Sequence, residues 1–123
     1  MNRILLAEDN DNLRELITDF LSEHEYEVDA VADGEDAWEM VLTKSYQLIL
    51  LDVMMPGMDG PEVFRRMQED ERTQGIPVFF MTAVTDRDRV LECMEMNPEE
   101  YLVKPVSSSK LLKKLSDLFE KES

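Results

Sequence analysis

Cysteine, histidine, glycine and positive charge are all scarce in this chain of 123 residues. Cys93 is the only cysteine, which excludes an intrachain disulfide and a multi-cysteine metal site. Its setting, Glu92-Cys93-Met94-Glu95, offers no cation to activate the thiol, so Cys93 reads as inert. The lone histidine, His24, sits between Glu23 and Glu25 near a helix end and reads as a surface residue, with no helical histidine-transfer scaffold around it. Only four glycines are present and no G-x-G-x-x-G stretch, which removes the usual dinucleotide signature. Thirteen Lys and Arg face 28 Asp and Glu, a formal charge of −15. That balance argues against direct nucleic-acid binding and against an anionic membrane surface, both of which need basic patches. The apolar runs are too short to span a bilayer, and no signal-peptide pattern follows Met1, so a cytoplasmic location is expected.

What is present describes one globular domain over residues 1–123, with 43% hydrophobic and 33% charged residues. Neither a repeat nor a linker interrupts it. Apolar runs near Arg3–Ala7, Tyr26–Val31, Gln47–Leu51, Pro77–Met81 and Glu100–Val103 predict five strands, with helices between and after them. Leu13, Leu16, Ile17, Phe20 and Leu21 recur at helical spacing, as do Leu111, Leu112, Leu115, Leu118 and Phe119. Asn10 or Asp11, Asp33, and Asp59 ahead of Gly60-Pro61 supply helix starts; Thr85 with Asp88 resembles a capping box ahead of Val90, Leu91 and Met94. Alternating strands and helices call for a doubly wound parallel sheet with helices on both faces. The runs ending at Ala7, Leu51 and Met81 are almost wholly apolar, as central strands are; Glu25, Glu27 and Asp29 alternate with Tyr26, Val28 and Ala30, as on an exposed edge. The predicted fold is therefore α/β and flavodoxin-like, with five parallel strands in the order 2-1-3-4-5.

In such a sheet ligands bind at the carboxyl ends of the strands, where the order reverses, here between strands 1 and 3. Glu8-Asp9 closes the first strand and Asp52 the third. Crowded carboxylates repel one another and resist ionisation unless a cation joins them. The three acids are thus a candidate site for a hard cation such as Mg²⁺, and Asp52 is a candidate nucleophile. Thr82 and Lys104 end strands 4 and 5 on the same side, adding a hydroxyl and an ammonium that could hold phosphoryl oxygens.

Glu8-Asp9, the segment from Asp52 to Gly60, Thr82-Ala83 and the block Tyr101-Leu102-Val103-Lys104-Pro105 together resemble the receiver domain of two-component response regulators. The resemblance implies that Asp52 accepts a phosphoryl group from the phosphohistidine of a sensor histidine kinase or phosphotransfer protein. It implies Mg²⁺ held by Asp9, Asp52 and the Met54 backbone carbonyl, with Glu8 acting through water. Lys104 would pair with Asp52 and then with the phosphoryl group. Thr82 would move toward that group, and Tyr101 would turn into the vacated space. A cis Lys104–Pro105 bond is also implied. Met54 and Val84, each two residues beyond a site position, are apolar and unable to orient an attacking water, which implies slow loss of the phosphoryl group. Output through the face of helix 4, strand 5 and helix 5 would use Arg87, Glu95, Tyr101, Lys110 and Lys114 toward an unidentified target or effector domain. Kinase recognition would use helix 1 and the loop after Pro105, with Arg14, Val106 and Ser107. One departure is Asn97-Pro98 where the family often has Gly-Ala; asparagine tolerates the left-handed backbone that such a turn needs.

Three other functions compete. A Mg²⁺-dependent aspartate-nucleophile phosphatase would carry a second Asp two residues after the nucleophile, where this chain has Met54. A flavin-phosphate binder would carry Ser, Thr and Gly after strand 1, where this chain has Glu8-Asp9-Asn10-Asp11. A receiver-like scaffold that takes no phosphate would be free to lose site residues, and all five positions are filled.

Overall fold

The computed structural model describes residues 2–83 and 87–122. Val84 and Thr85, which carry one implied kinetic role and one predicted cap, lie outside the described residues, as does the side chain of Arg87. The elements alternate as β1 (Arg3–Ala7), α1 (Asp11–Glu23), β2 (Glu27–Val31), α2 (Gly34–Thr43), β3 (Leu48–Asp52), α3 (Gly60–Glu69), β4 (Val78–Thr82), α4 (Arg87–Glu95), β5 (Glu100–Val103) and α5 (Ser108–Glu122). All strand pairs are parallel, in the order β2-β1-β3-β4-β5.

The apolar runs form central strands because both of their faces are covered. Ile4, Leu6, Leu48, Leu50, Phe79 and Met81 pack under α1 and α5 against Ile17, Leu21, Leu111, Leu115 and Leu118. Their alternates Leu5, Ala7, Ile49, Leu51, Val78 and Phe80 pack on the opposite face against Ala37, Val41, Val63, Phe64 and Met67. Alternate residues of a strand point to opposite faces, so one unbroken run serves two cores. Polar caps start the helices. Asn10 accepts from the Leu13 amide at 2.9 Å, Asp33 from Asp36 at 2.8 Å and Asp59 from Glu62 at 3.1 Å.

Asp52 and Thr82 are the last residues of β3 and β4, one residue past the apolar runs that predict those strands: Asp52 pairs with Met81 and Thr82 with Val103. In α4 the buried side chain among the described residues is Cys93, while the apolar Leu91 and Met94 are 61% and 54% exposed. Asn97 does adopt a left-handed backbone, φ 55°, where the turn from α4 into β5 needs one.

The edge strand is less solvated than its charges suggested. Asp29 accepts a 2.7 Å hydrogen bond from the Tyr46 hydroxyl and pairs with Lys44 at 3.4 Å. The Tyr46 bond, chiefly, holds the Asp29 carboxyl below its ordinary value of 3.8. A carboxyl with a depressed folded-state pKa adds stability above its unfolded pKa and loses that contribution as pH falls through the folded one. Tyr46→Phe is therefore expected to cost about 1–2 kcal/mol at neutral pH. The gap between variant and parent should narrow as pH drops below 3.8. Urea melts at several pH values check both; a gap independent of pH would remove Asp29 from the account.

Candidate functional site

The carboxyl ends of β1 and β3 bring the acids together. Oxygens of Glu8, Asp9 and Asp52 all lie within 4.8 Å of one another. Glu8 is fully buried, Asp52 is 3% exposed and Asp9 is open to solvent. Backbone bonds fix the frame, from Glu8 N to Val31 O at 3.1 Å and from Val53 N to Met81 O at 2.9 Å. The Asn10 amide donates to Glu8 Oε2 at 3.0 Å. Lys104, at the end of β5, reaches across with its Nζ 2.7 Å from Glu8 Oε1 and 3.1 Å from Asp52 Oδ2. Its backbone amide donates to Thr82 O at 2.8 Å, and the Lys104–Pro105 bond is cis.

The charges do not balance, since three acids face one ammonium. Burial, and then the neighbouring Glu8, push the Asp52 carboxyl up to about 8. Glu8 moves the other way: burial raises it, but the hydrogen bonds from Lys104 and Asn10 outweigh burial and hold it below the usual range. Asp52 therefore resists ionisation in the metal-free protein, while Glu8 is favoured in its charged form. Apart from Lys104, Glu8 Oε1 has no polar partner among the described residues. Hard oxygen donors in excess, one of them buried with so few partners, suit a divalent cation of the Mg²⁺ class.

The remaining predicted residues surround this cluster. Thr82 is buried, its hydroxyl donating to Ala83 O at 3.2 Å. Tyr101 stacks on Phe80, ring centroids 5.9 Å apart, and donates to Val90 O in α4 at 3.3 Å. Met54 is exposed beside the acids on the loop after β3. Arg14, read as a kinase contact, donates to Glu8 O at 2.9 Å and to Asp11 at 2.6 Å. Ser107 accepts from the Lys110 amide at 3.3 Å and so helps to start α5.

Residues 4–116 match the family model of the response regulator receiver domain. The chain belongs to that family. The regulatory protein VanRB of Enterococcus faecalis is 36% identical to this receiver domain over 119 residues, 97% of the chain and 53% of that protein. The transcriptional regulatory protein HprR of Escherichia coli is 41% identical over 110 residues, 89% of the chain and 48% of that protein. The receiver domain thus spans about half the length of these curated relatives. Among solved structures, the receiver domain of the Pseudomonas aeruginosa sensor histidine kinase PA1611, with a magnesium ion coordinated in its active-site cleft, matches with a TM-score of 0.88 at 29% identity. That match covers 95% of this chain and 96% of the other. The signal receiver domain of a Syntrophus aciditrophicus histidine kinase matches with a TM-score of 0.91 at 26% identity, covering 98% and 92%.

Sequence reading missed the contacts that tie helices to the loop after Asp52. Arg89 of α4 pairs with Asp59, the cap of α3, and with Glu92. Glu35 of α2 accepts from the Met58 amide at 3.0 Å. Both residues looked like ordinary helix-surface charges, because a sequence records spacing within a helix and not what faces it across space. Gln68 of α3 adds a third cross-link, donating to Met96 O at 2.8 Å beyond the end of α4.

Proposed function

We propose that this receiver domain stores a signal as an acyl phosphate on Asp52. The observation that carries the reading is the half-buried Lys104 ammonium within 3.1 Å of Asp52 and 2.7 Å of Glu8, with Asp9 alongside. In the proposed reaction an Asp52 Oδ attacks the phosphorus of a phosphohistidine on a partner kinase. The new O–P bond forms as the donor's N–P bond breaks, and that electron pair returns to the imidazole nitrogen. Lys104 exchanges its contact with Asp52 for a phosphoryl oxygen, and the Thr82 hydroxyl donates to another. Asp9, Asp52 and the Met54 carbonyl would hold Mg²⁺, with Glu8 reaching it through water. The ion would supply charge neutralisation between the acidic edge and the incoming phosphate. This resembles what the PA1611 receiver structure describes for its own cleft, a coordinated magnesium ion.

Movement of Thr82 toward the phosphoryl group would open space for Tyr101. Leaving its bond to Val90 O, Tyr101 would then release one hold on α4. The face of α4, β5 and α5 would carry the message. It already presents Leu91, Met94 and Val103 to solvent, and there Lys114 pairs with Glu100 at 2.8 Å. Kinase docking would fall on α1 and the loop after Pro105. Leu13, Leu16, Phe20 and Val106 line an apolar groove there, and Leu16 is 66% exposed. No helix among the described residues is long and apolar enough to cross a membrane. A cytoplasmic location is part of the proposal.

Incubation with a small acyl phosphate donor tests the reading. One hydroxylamine-labile phosphoryl group per chain is expected in the presence of Mg²⁺ and almost none after chelation. No incorporation at saturating donor and metal would overturn it.

A further inference from the structure

The first turn of α2 grips the loop that carries the reactive segment. Among the described residues, the one hydrogen bond that anchors residues 54–58 runs from the Met58 amide to Glu35 Oε1, at 3.0 Å. On either side the loop is fixed by backbone, with Val53 N bonded to Met81 O at 2.9 Å and Gly60 N to Val53 O at 3.0 Å. Gly57, at φ 71°, lays its backbone against the Glu35 carboxylate: a Cβ there would stand 2.6 and 2.7 Å from the two carboxylate oxygens. Gly34 brings α2 itself against the Met58 carbonyl. Helix and loop are therefore matched over Gly34, Glu35, Gly57 and Met58, and one flexible side chain sets the position of the loop's middle.

Resting on the function proposed above, we propose that Glu35 is a positioning residue for phosphoryl transfer, holding the 54–58 loop so that the Met54 carbonyl faces the Asp52 site. Glu35 touches no reacting atom; it acts through the Met58 amide. An unanchored loop of this length samples many backbone states, and each must be given up when a carbonyl is to meet a cation. Glu35 removes those states beforehand.

The simpler role for an acid in a first helical turn is interaction with the helix dipole. The two roles separate on substitution. Glu35→Gln loses the charge but keeps an acceptor at the same reach; Glu35→Asp keeps the charge and falls a methylene short; Glu35→Ala loses both. Two readouts are taken: hydrogen exchange of the Met58 amide in the metal-free protein, and the Mg²⁺ concentration giving half-maximal labelling by a small phosphodonor. Positioning predicts faster Met58 exchange and a metal requirement raised about fivefold in Glu35→Asp and Glu35→Ala. Glu35→Gln should stay within about twofold of the parent. Parent-like exchange or parent-like metal requirement in Glu35→Asp overturns the proposal, as does a Glu35→Gln variant that fails like Glu35→Ala. Should Glu35→Ala not fold, Glu35→Asp decides alone. If the parent takes no label at any Mg²⁺ concentration, the functional reading fails and the positioning role with it, while Met58 exchange still reports on the contact itself.

Discussion

Asp52→Asn is expected to raise the thermal midpoint of the metal-free domain while abolishing its uptake of phosphate. The loss of labelling follows from chemistry, since a carboxamide offers no anionic oxygen to attack phosphorus. The gain in stability follows from electrostatics. Asp52 is 3% exposed, and burial and Glu8 raise its carboxyl to about 8 against an ordinary 3.8. Between those values the folded state holds a proton that the unfolded chain has released. Stability contributed by this group therefore falls as pH rises from about 4 to about 8 and levels off beyond. Asparagine fits the same space without a titrating proton, and its amide can serve Glu8. The advantage should grow across that pH window to roughly 2–4 kcal/mol, a shift of roughly 5–10 °C. Mg²⁺ should stabilise the parent in proportion to the logarithm of its concentration and stabilise the variant far less, because one of the proposed ligands is gone. Differential scanning calorimetry at pH 5 and pH 8, with and without the ion, measures all of this. A variant no more stable than the parent at pH 8, or one whose advantage is the same at both pH values, would sink the electrostatic account.

The architecture was legible because the signal that specifies it is local. Ile4–Ala7 and Leu48–Leu51 are apolar at every position, which a two-faced central strand requires, and Asn10, Asp33 and Asp59 sit where helices need caps. The site was legible for a related reason: strand ends converge in a parallel sheet, so Glu8, Asp9, Asp52 and Lys104 could be brought together from order alone. What the sequence hid depends on facing partners. The α4 segment offers apolar residues on more than one side, and only the packed neighbours select Cys93 for the interior and leave Leu91 and Met94 outside. Burial then pushes the Cys93 thiol up to about 11, outweighing the opposing pull of the nearby Arg89 guanidinium, a cation that the residues adjacent in sequence did not reveal. Asp29 likewise looked solvated until Tyr46, distant in sequence, proved to cover it. Glu35 and Arg89 share this history, each making its decisive contact with the loop after Asp52.

Gly34→Ala should cost more stability than any of the surface substitutions, at least about 4 kcal/mol. Gly34 opens α2 directly against the loop after β3. A Cβ built on it would stand 1.7 Å from the Met58 carbonyl oxygen, 2.6 Å from its carbon and 2.8 Å from the Met58 Cβ. Two of those three atoms are backbone, so no rotamer change relieves the clash. The carbonyl is also poorly placed to retreat. Gly57 before it occupies φ 71°, the Met58 amide is held by Glu35, and Asp59 beyond it caps α3. Relief must come from α2, whose Ala37 and Val41 are buried in the core against β1 and β3. Moving the helix outward opens space under both residues, so the substitution combines a clash with lost packing. Domains of this size are stable by about 5–15 kcal/mol, and the variant should be extensively unfolded near 37 °C. Gly75→Ala is the control: a Cβ there meets nothing within 4 Å, and the change should be neutral or stabilising by a few tenths of a kcal/mol. Urea denaturation of both variants beside the parent makes the comparison. A Gly34→Ala protein within about 1 kcal/mol of the parent would mean that the loop yields easily. The close fit between α2 and the Asp52 segment, on which the positioning role of Glu35 depends, would then be wrong.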